Sequence, residues 1–302
     1  MNNNTNAPSF GFAGYHPAVG LVYFSLTLGF TMFSMNPICL GISCLGALSY
    51  CICLRGRKAA RFCLMAVLPM MLLAALVNPA FNHEGTTVLT YLPDGNPLTL
   101  ESILYGLASA LMLAAALLWF VCVSEVMTSD KLIYLFGRII PALSLVLSMT
   151  LRFIPQLKAR FSAAAEAQRG LGRGAEGGLK NKLKNAARIF SIVLTWSLEG
   201  ALAAADSMKS RGYGLPGRSA YSIWQIGGRD GGMLIWLGFC GVYTFSGMLS
   251  GGLYWRWFPS VKWAEPGVFQ YSFYLVYLAL CLTPAIIDFM EGREWKRSKS
   301  AV

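Results

Sequence analysis

The chain has 302 residues, 55% hydrophobic and only 13% charged, with a mean hydropathy of +0.52 and a formal net charge of +11. Soluble domains carry about a quarter charged residues, so a water-soluble globular fold is excluded and an all-α integral membrane protein is expected. The first fifteen residues are small and polar with no Lys or Arg, so the charged start of a cleavable signal peptide is missing.

In chain order, apolar runs at 17–34, 37–54, 62–81, 102–125, 232–249 and 271–289 predict about six spans, since roughly 20 apolar residues cross a hydrocarbon core about 30 Å thick. Only Met35 and Asn36 separate the first two runs, and Pro37 opens the second, so a tight hairpin or a kinked pair is expected there. The charges assign sides. Residues 55–61 hold Arg55, Arg57, Lys58 and Arg61; residues 126–231 hold fifteen Lys or Arg; the tail from Glu291 holds four more. Loop 82–101 has Glu84, Asp94 and Glu101 but no basic residue, and 250–270 has only Arg256 and Lys262. The positive-inside rule makes the basic segments cytoplasmic and places both termini inside. The net charge therefore reads as topology, and no nucleic-acid partner is expected. The aromatics of "LYWRWFPSVKW" (253–263) fit the outer interface belt.

Three regions follow: N-terminal transmembrane helices over 1–126, a cytoplasmic coupling module over 127–231, and C-terminal transmembrane helices with a basic cytoplasmic tail over 232–302. The middle region is too long for a simple connection. It opens with the apolar segment 139–155, bounded by Pro141 and Pro155 and basic on both sides, which reads as re-entrant or interfacial rather than crossing. An Ala-rich helix follows, ending at "AQRGLG" (167–172), then a Gly-rich connector. A second long helix carries Ile189, Ile192, Val193, Trp196, Leu202 and Met208 on one face and ends at "KSRGYG" (209–214). Gly170 and Gly212 are the expected helix stops, because Gly takes the left-handed C′ conformation without steric cost. The small residues Ala163, Ala164 and Ala167, opposite Gly200, Ala203 and Ala204, predict that the two helices cross at these runs. Arg169 and Arg211 would then project at separated tips. Glu166, three residues before Arg169, stands in register to pair with it weakly; Asp206 is off-register for Arg211.

Little catalytic chemistry is visible. The eight cysteines (39, 44, 51, 53, 63, 122, 240 and 281) lie in or beside apolar runs and match no zinc or redox spacing. His16 and His83 are the only histidines, Glu125 and Asp288 sit at span ends, and no HExxH or other ligand spacing occurs. The glycines of "GLGRGAEGG" lack GxxxxGK[ST]. No enzyme, metal site or bound cofactor is expected, and any ATP must be held by a partner.

With "QRG" (168–170) and "SRG" (210–212) at the ends of two long helices, after hydrophobic N-terminal spans, the chain resembles the transmembrane T component of energy-coupling factor (ECF) transporters for vitamins and transition metals. Gln168 and Ser210 stand where that family commonly has Ala. The resemblance covers nearly the whole chain and is strongest over about 150–215. It implies a scaffold that joins two cytoplasmic ABC ATPases, which bind ATP and Mg, to a small membrane substrate-binding subunit. Two coupling helices would cross in an X, and Arg169 and Arg211, flanked by Gln168, Gly170, Ser210 and Gly212, would each enter an acidic groove on one ATPase. The alternative is a conventional ABC permease that forms its own translocation path.

Overall fold

The computed structural model describes residues 11–91, 96–172, 178–215, 224–263 and 267–300, without the side chains of 138, 139, 141, 142, 179 and 294–300. The chain divides into two units, residues 1–131 with 224–302, and residues 132–223.

The first unit is a helical bundle. Helix α1 (Pro17–Phe33) starts where Pro17 supplies a pre-set φ and His16 Nδ1 accepts from the Ala18 N–H. Helix α2 (Pro37–Arg55) starts the same way, with Pro37 first and Asn36 Oδ1 accepting from the Ile38 N–H. Helix α1 ends at its C-cap Ser34, whose N–H bonds the Phe30 carbonyl, before Asn36 caps α2, which makes this a hairpin of distinct helices, not one kinked helix. Helix α3 (Arg57–Phe62) runs through a π-helical turn (Cys63–Val67) into α4 (Leu68–Phe81). Strands β1 (Val88–Tyr91) and β2 (Pro97–Thr99) pair antiparallel, and Thr99 Oγ1 caps α5 (Leu100–Val126) by accepting from the Ser102 N–H. Helix α6 (Ser129–Ile139) leads out of the unit. The chain returns through α9 (Gly228–Leu249), the hairpin of β3 (Trp255–Arg256) and β4 (Lys262–Trp263), and α10 (Val268–Ser300).

Close packing relies on glycine at the tightest approaches. A Cβ on Gly46 of α2 would lie 2.6 Å from Cys281 Cβ of α10, and one on Gly106 of α5 would lie 3.0 Å from the Ala75 carbonyl of α4. One group of core polar side chains satisfies itself, as a hydrocarbon surrounding demands, while the buried Tyr50 hydroxyl has no hydrogen-bond partner among the described residues. Trp119 Nε1 donates to Ser43 Oγ (2.9 Å), Ser43 Oγ lies 2.6 Å from Thr31 Oγ1, and Thr31 Oγ1 lies 3.3 Å from the Tyr277 hydroxyl. Tyr23 donates to the Cys281 carbonyl.

The loops sort by end. Trp257 Nε1 donates to the Met35 carbonyl, Asn36 Nδ2 to the Leu253 carbonyl, and the Thr86 N–H to the Pro259 carbonyl. These bonds gather the α1–α2, α4–α5 and α9–α10 connections at one end of the bundle. At the other end Arg55 pairs with Glu125 at 2.6 Å, and Arg229 pairs with Glu291. Within the bundle, the end that carries Arg55, Lys131 and Arg229 is thus opposite the aromatic hairpin.

Among the described residues, six helices are long and apolar enough to cross a membrane: Pro37–Arg55, Arg57–Phe81, Leu100–Val126, Lys180–Ser210, Gly228–Leu249 and Val268–Arg293. The set differs from the sequence reading by one exchange, with Lys180–Ser210 in and α1 out. Helix α1 has 17 residues, about 25 Å at 1.5 Å per residue, yet it reaches from the basic end to the Met35 turn and buries Val19, Tyr23, Thr27 and Thr31 in the core. Packing places it in the bundle although length alone does not select it.

Candidate functional site

The second unit is built on two long helices, α7 (Pro141–Gly170) and α8 (Leu179–Ser210). Pro141 begins α7, and Pro155 lies inside it. The segment expected to be re-entrant or interfacial is, from Pro141 on, one helix with the Ala-rich run and continues through Pro155 without a break. A prolyl nitrogen removes one i→i−4 bond, and the rest of the ladder carries the helix across it.

The two helices pack antiparallel. Ala164 is buried against Ile189 and Val193, with Ala165 and Ile192 packed at the edge. One turn earlier on α7, Arg160 Nη1 donates to the Trp196 carbonyl at 3.1 Å and lies 3.5 Å from where a Cβ on Gly200 would be. Residue 160 thus faces 196–200 while 164 faces 189–193. Ala164 and Gly200 stand in the contact. Ala163, Ala167 and Ala203 are exposed, and Ala204 is half-buried. The contact on α8 is centred one to two turns before the 199–205 run, because Ile189 and Val193 bury more apolar area against Ala164 than the alanines would. Small residues allow close approach, but they do not drive it.

The antiparallel register sets the tips apart. Helix α7 ends beside about residue 186 of α8, which then continues some 25 residues, or roughly 40 Å, to Arg211. Arg169 and Arg211 are both exposed, and neither forms an ion pair among the described residues. Glu166 accepts from Ser162 Oγ at 3.4 Å instead of pairing with Arg169. Ser210 spends its hydroxyl on the Ser207 carbonyl. Gln168 is only 7% exposed, and its Oε1, like Asn185 Oδ1, is buried with no hydrogen-bond partner among the described residues. Of Gln168, Arg169 and Gly170, the last two are open to an outside partner.

The repeated Arg-Gly-x-Gly is not repeated in structure. At the second corner Arg211 is the C-cap and Gly212 takes the left-handed conformation (φ 78°). The Gly212 N–H bonds the Lys209 carbonyl and the Tyr213 N–H bonds the Met208 carbonyl, which completes a Schellman motif. At the first corner Gly170 remains helical, Leu171 is the C-cap, and Gly172 is left-handed (φ 70°). The expectation that Gly170 stops its helix is therefore corrected by two residues. In cap register Lys209, not Arg211, is the equivalent of Arg169. The second glycine of "RGLG" carried the signal for this, since either glycine of the pattern can occupy C′.

Apolar side chains stand exposed along both helices, among them Val146, Phe153, Ile154 and Phe161 on α7 and Phe190, Leu194, Leu198 and Leu202 on α8. Among the described residues of this unit they are left largely uncovered.

A bundle of membrane-crossing helices, with a unit of two long packed helices inserted in the chain between its spans, defines a multi-pass membrane protein. The family model of CbiQ, described as cobalt transport protein, matches residues 14–221, and the chain belongs to that family. A search of curated proteins finds no match.

Proposed function

We propose that this chain is the coupling scaffold of an ECF-type ABC importer, in which cytoplasmic ATPases drive a separate membrane subunit that binds the cargo. The observation that carries the reading is the pair of exposed, unpaired arginines at tips roughly 40 Å apart on one packed helix pair. Two such tips fit two ATPase subunits side by side, each offering carboxylates to a planar guanidinium that bonds them bidentately. ATP and Mg belong to those ATPases, and this chain binds neither directly. The exposed apolar residues of α7 and α8 are the seat for the small substrate-binding subunit. The basic end of the bundle faces the cytoplasm, with both termini there. Membership in a cobalt transport family makes a transition-metal ion the first cargo to test and a vitamin the second.

The test is ATP-driven uptake by the reconstituted complex. Loss of charge-assisted bonds at one tip costs about 1.5–3 kcal/mol, so Arg169→Ala and Arg211→Ala should each slow uptake about tenfold or more and the double variant further. Uptake at the wild-type rate by the double variant refutes the coupling role. Uptake without any copurifying substrate-binding subunit instead identifies a permease with its own path.

A further inference from the structure

The segment 11–16, at the basic end of the bundle, makes a concentration of contacts that the proposed coupling sites do not use. Phe12 is buried, with its ring 5.1 Å from Tyr23 and within 6.4 Å of Phe24 and Tyr50. Its N–H donates to Asp288 Oδ1 at 2.6 Å, and the Gly11 N–H donates to Glu291, both on α10. Arg229, at the start of α9, pairs with the same Glu291 and stacks over the Tyr15 ring at 4.2 Å. The Asp230 carboxylate accepts from both the His16 N–H (3.0 Å) and the Gly227 N–H (2.9 Å).

Lys131 completes the cluster. It is 6% exposed, its Nζ donates to the Ala13 carbonyl (2.7 Å) and the Val126 carbonyl (3.0 Å), and it lies 5.6 Å from the centre of the Trp224 ring. Burial lowers the pKa of this ammonium, a cost that two carbonyl acceptors and an aromatic face offset. Lys131 and Trp224 are the last and first residues of the bundle on either side of the α7–α8 unit. One side chain therefore ties the outgoing strand of chain, the returning strand and segment 11–16 together. Residues 11–13, Trp224, Asp230, Asp288 and Glu291 all lie outside the family match of 14–221.

We infer that segment 11–16 with Lys131 is an anchor that holds both necks of the α7–α8 unit to α1, α9 and α10, so that force on that unit is delivered to the bundle. The inference rests on the proposed coupling role. Without the anchor, displacement of the unit would be absorbed at its two connections, and ATP would be hydrolysed with less transport.

Two measurements test it. The first uses the chain alone in membrane vesicles. Ala13→Cys keeps the backbone carbonyl that Lys131 holds, so a maleimide should label it slowly in the parent and at least fivefold faster with Lys131→Met added. The second uses the reconstituted complex with its ATPases and reads uptake per ATP hydrolysed. Lys131→Met should lower that ratio at least fivefold, and Lys131→Arg, which still donates to carbonyls and stacks on an indole, should restore it to within twofold. If Lys131→Met does not assemble, Trp224→Leu removes the aromatic face beside Lys131 and leaves its two carbonyl bonds, and should lower the ratio in the same direction. An unchanged labelling rate, or an unchanged ratio in an assembled variant, overturns the anchor. Absence of ATP-driven uptake in the wild-type complex instead overturns the coupling role, while the labelling result still decides whether the anchor exists.

Discussion

The unequal caps at the two Arg-Gly corners make opposite predictions for the same substitution. Gly170 is helical, and a Cβ there would meet nothing within 4 Å. Gly170→Ala should therefore stabilise the last turn of α7 by about 0.5–1 kcal/mol, the usual advantage of Ala over Gly in a helix. Gly212 has φ 78°, and its Cβ would approach Leu215 Cδ1 at 3.1 Å. An L-residue in that conformation costs about 1–2 kcal/mol before Leu215 moves. The assay is hydrogen exchange followed by mass spectrometry on the purified chain in lipid nanodiscs. At a factor of ten per about 1.4 kcal/mol, Gly212→Ala should accelerate exchange at the amides of Arg211, Gly212 and Tyr213 by about 5–30-fold when exchange follows local opening. Gly170→Ala should slow exchange at Leu171 and Gly172 by about 2–5-fold. If both substitutions accelerate exchange alike, the cap registers are the same and the distinction between the corners is wrong.

Three further outcomes follow from the bundle. Gly46→Leu should abolish the folded monomer on size-exclusion chromatography, because its Cβ alone meets Cys281 Cβ at 2.6 Å, whereas Gly238→Leu, with open space around it, should elute as the parent does. Ser43→Ala leaves the buried Trp119 N–H without an acceptor and should cost about 1–3 kcal/mol; Trp119→Phe removes the donor itself and should cost less through this bond. A double-mutant cycle in thermal unfolding, read as the coupling between these two positions, checks this, and zero coupling sinks it. Arg55→Ala breaks an ion pair whose side chains are 33% and 43% exposed, so its effect should stay within about 1 kcal/mol and leave the melting temperature nearly unchanged.

Much of the architecture was legible because a bilayer imposes one strong demand, a run of about 20 apolar residues per crossing. Pro37 could be read as the opening of α2, but whether the junction is a hairpin or a kinked pair was settled only by the caps at Ser34 and Asn36. The continuity of α7 through Pro155 could not be read so easily. A proline is a local penalty, and the remaining helix outweighs it. The crossing was half legible: Ala164 and Gly200 are in it, but the apolar pair Ile189 and Val193 sets where α8 is met. Segment 11–16 gave no signal at all, because most of its polar contacts are made by backbone groups whose partners lie more than 100 or 200 residues away.

By itself the sequence determined the class of the molecule, the approximate place of its crossings and the presence of two basic corners after helices. These follow from composition and local pattern, which act within a few turns of chain. Tertiary structure alone decided that α7 and α8 meet antiparallel around Ala164, Ile189 and Val193, that Gly172 rather than Gly170 carries the first turn, and that Lys131 joins three stretches of chain. Each of those depends on which surfaces come together, and the energy of that choice is shared among residues far apart in sequence.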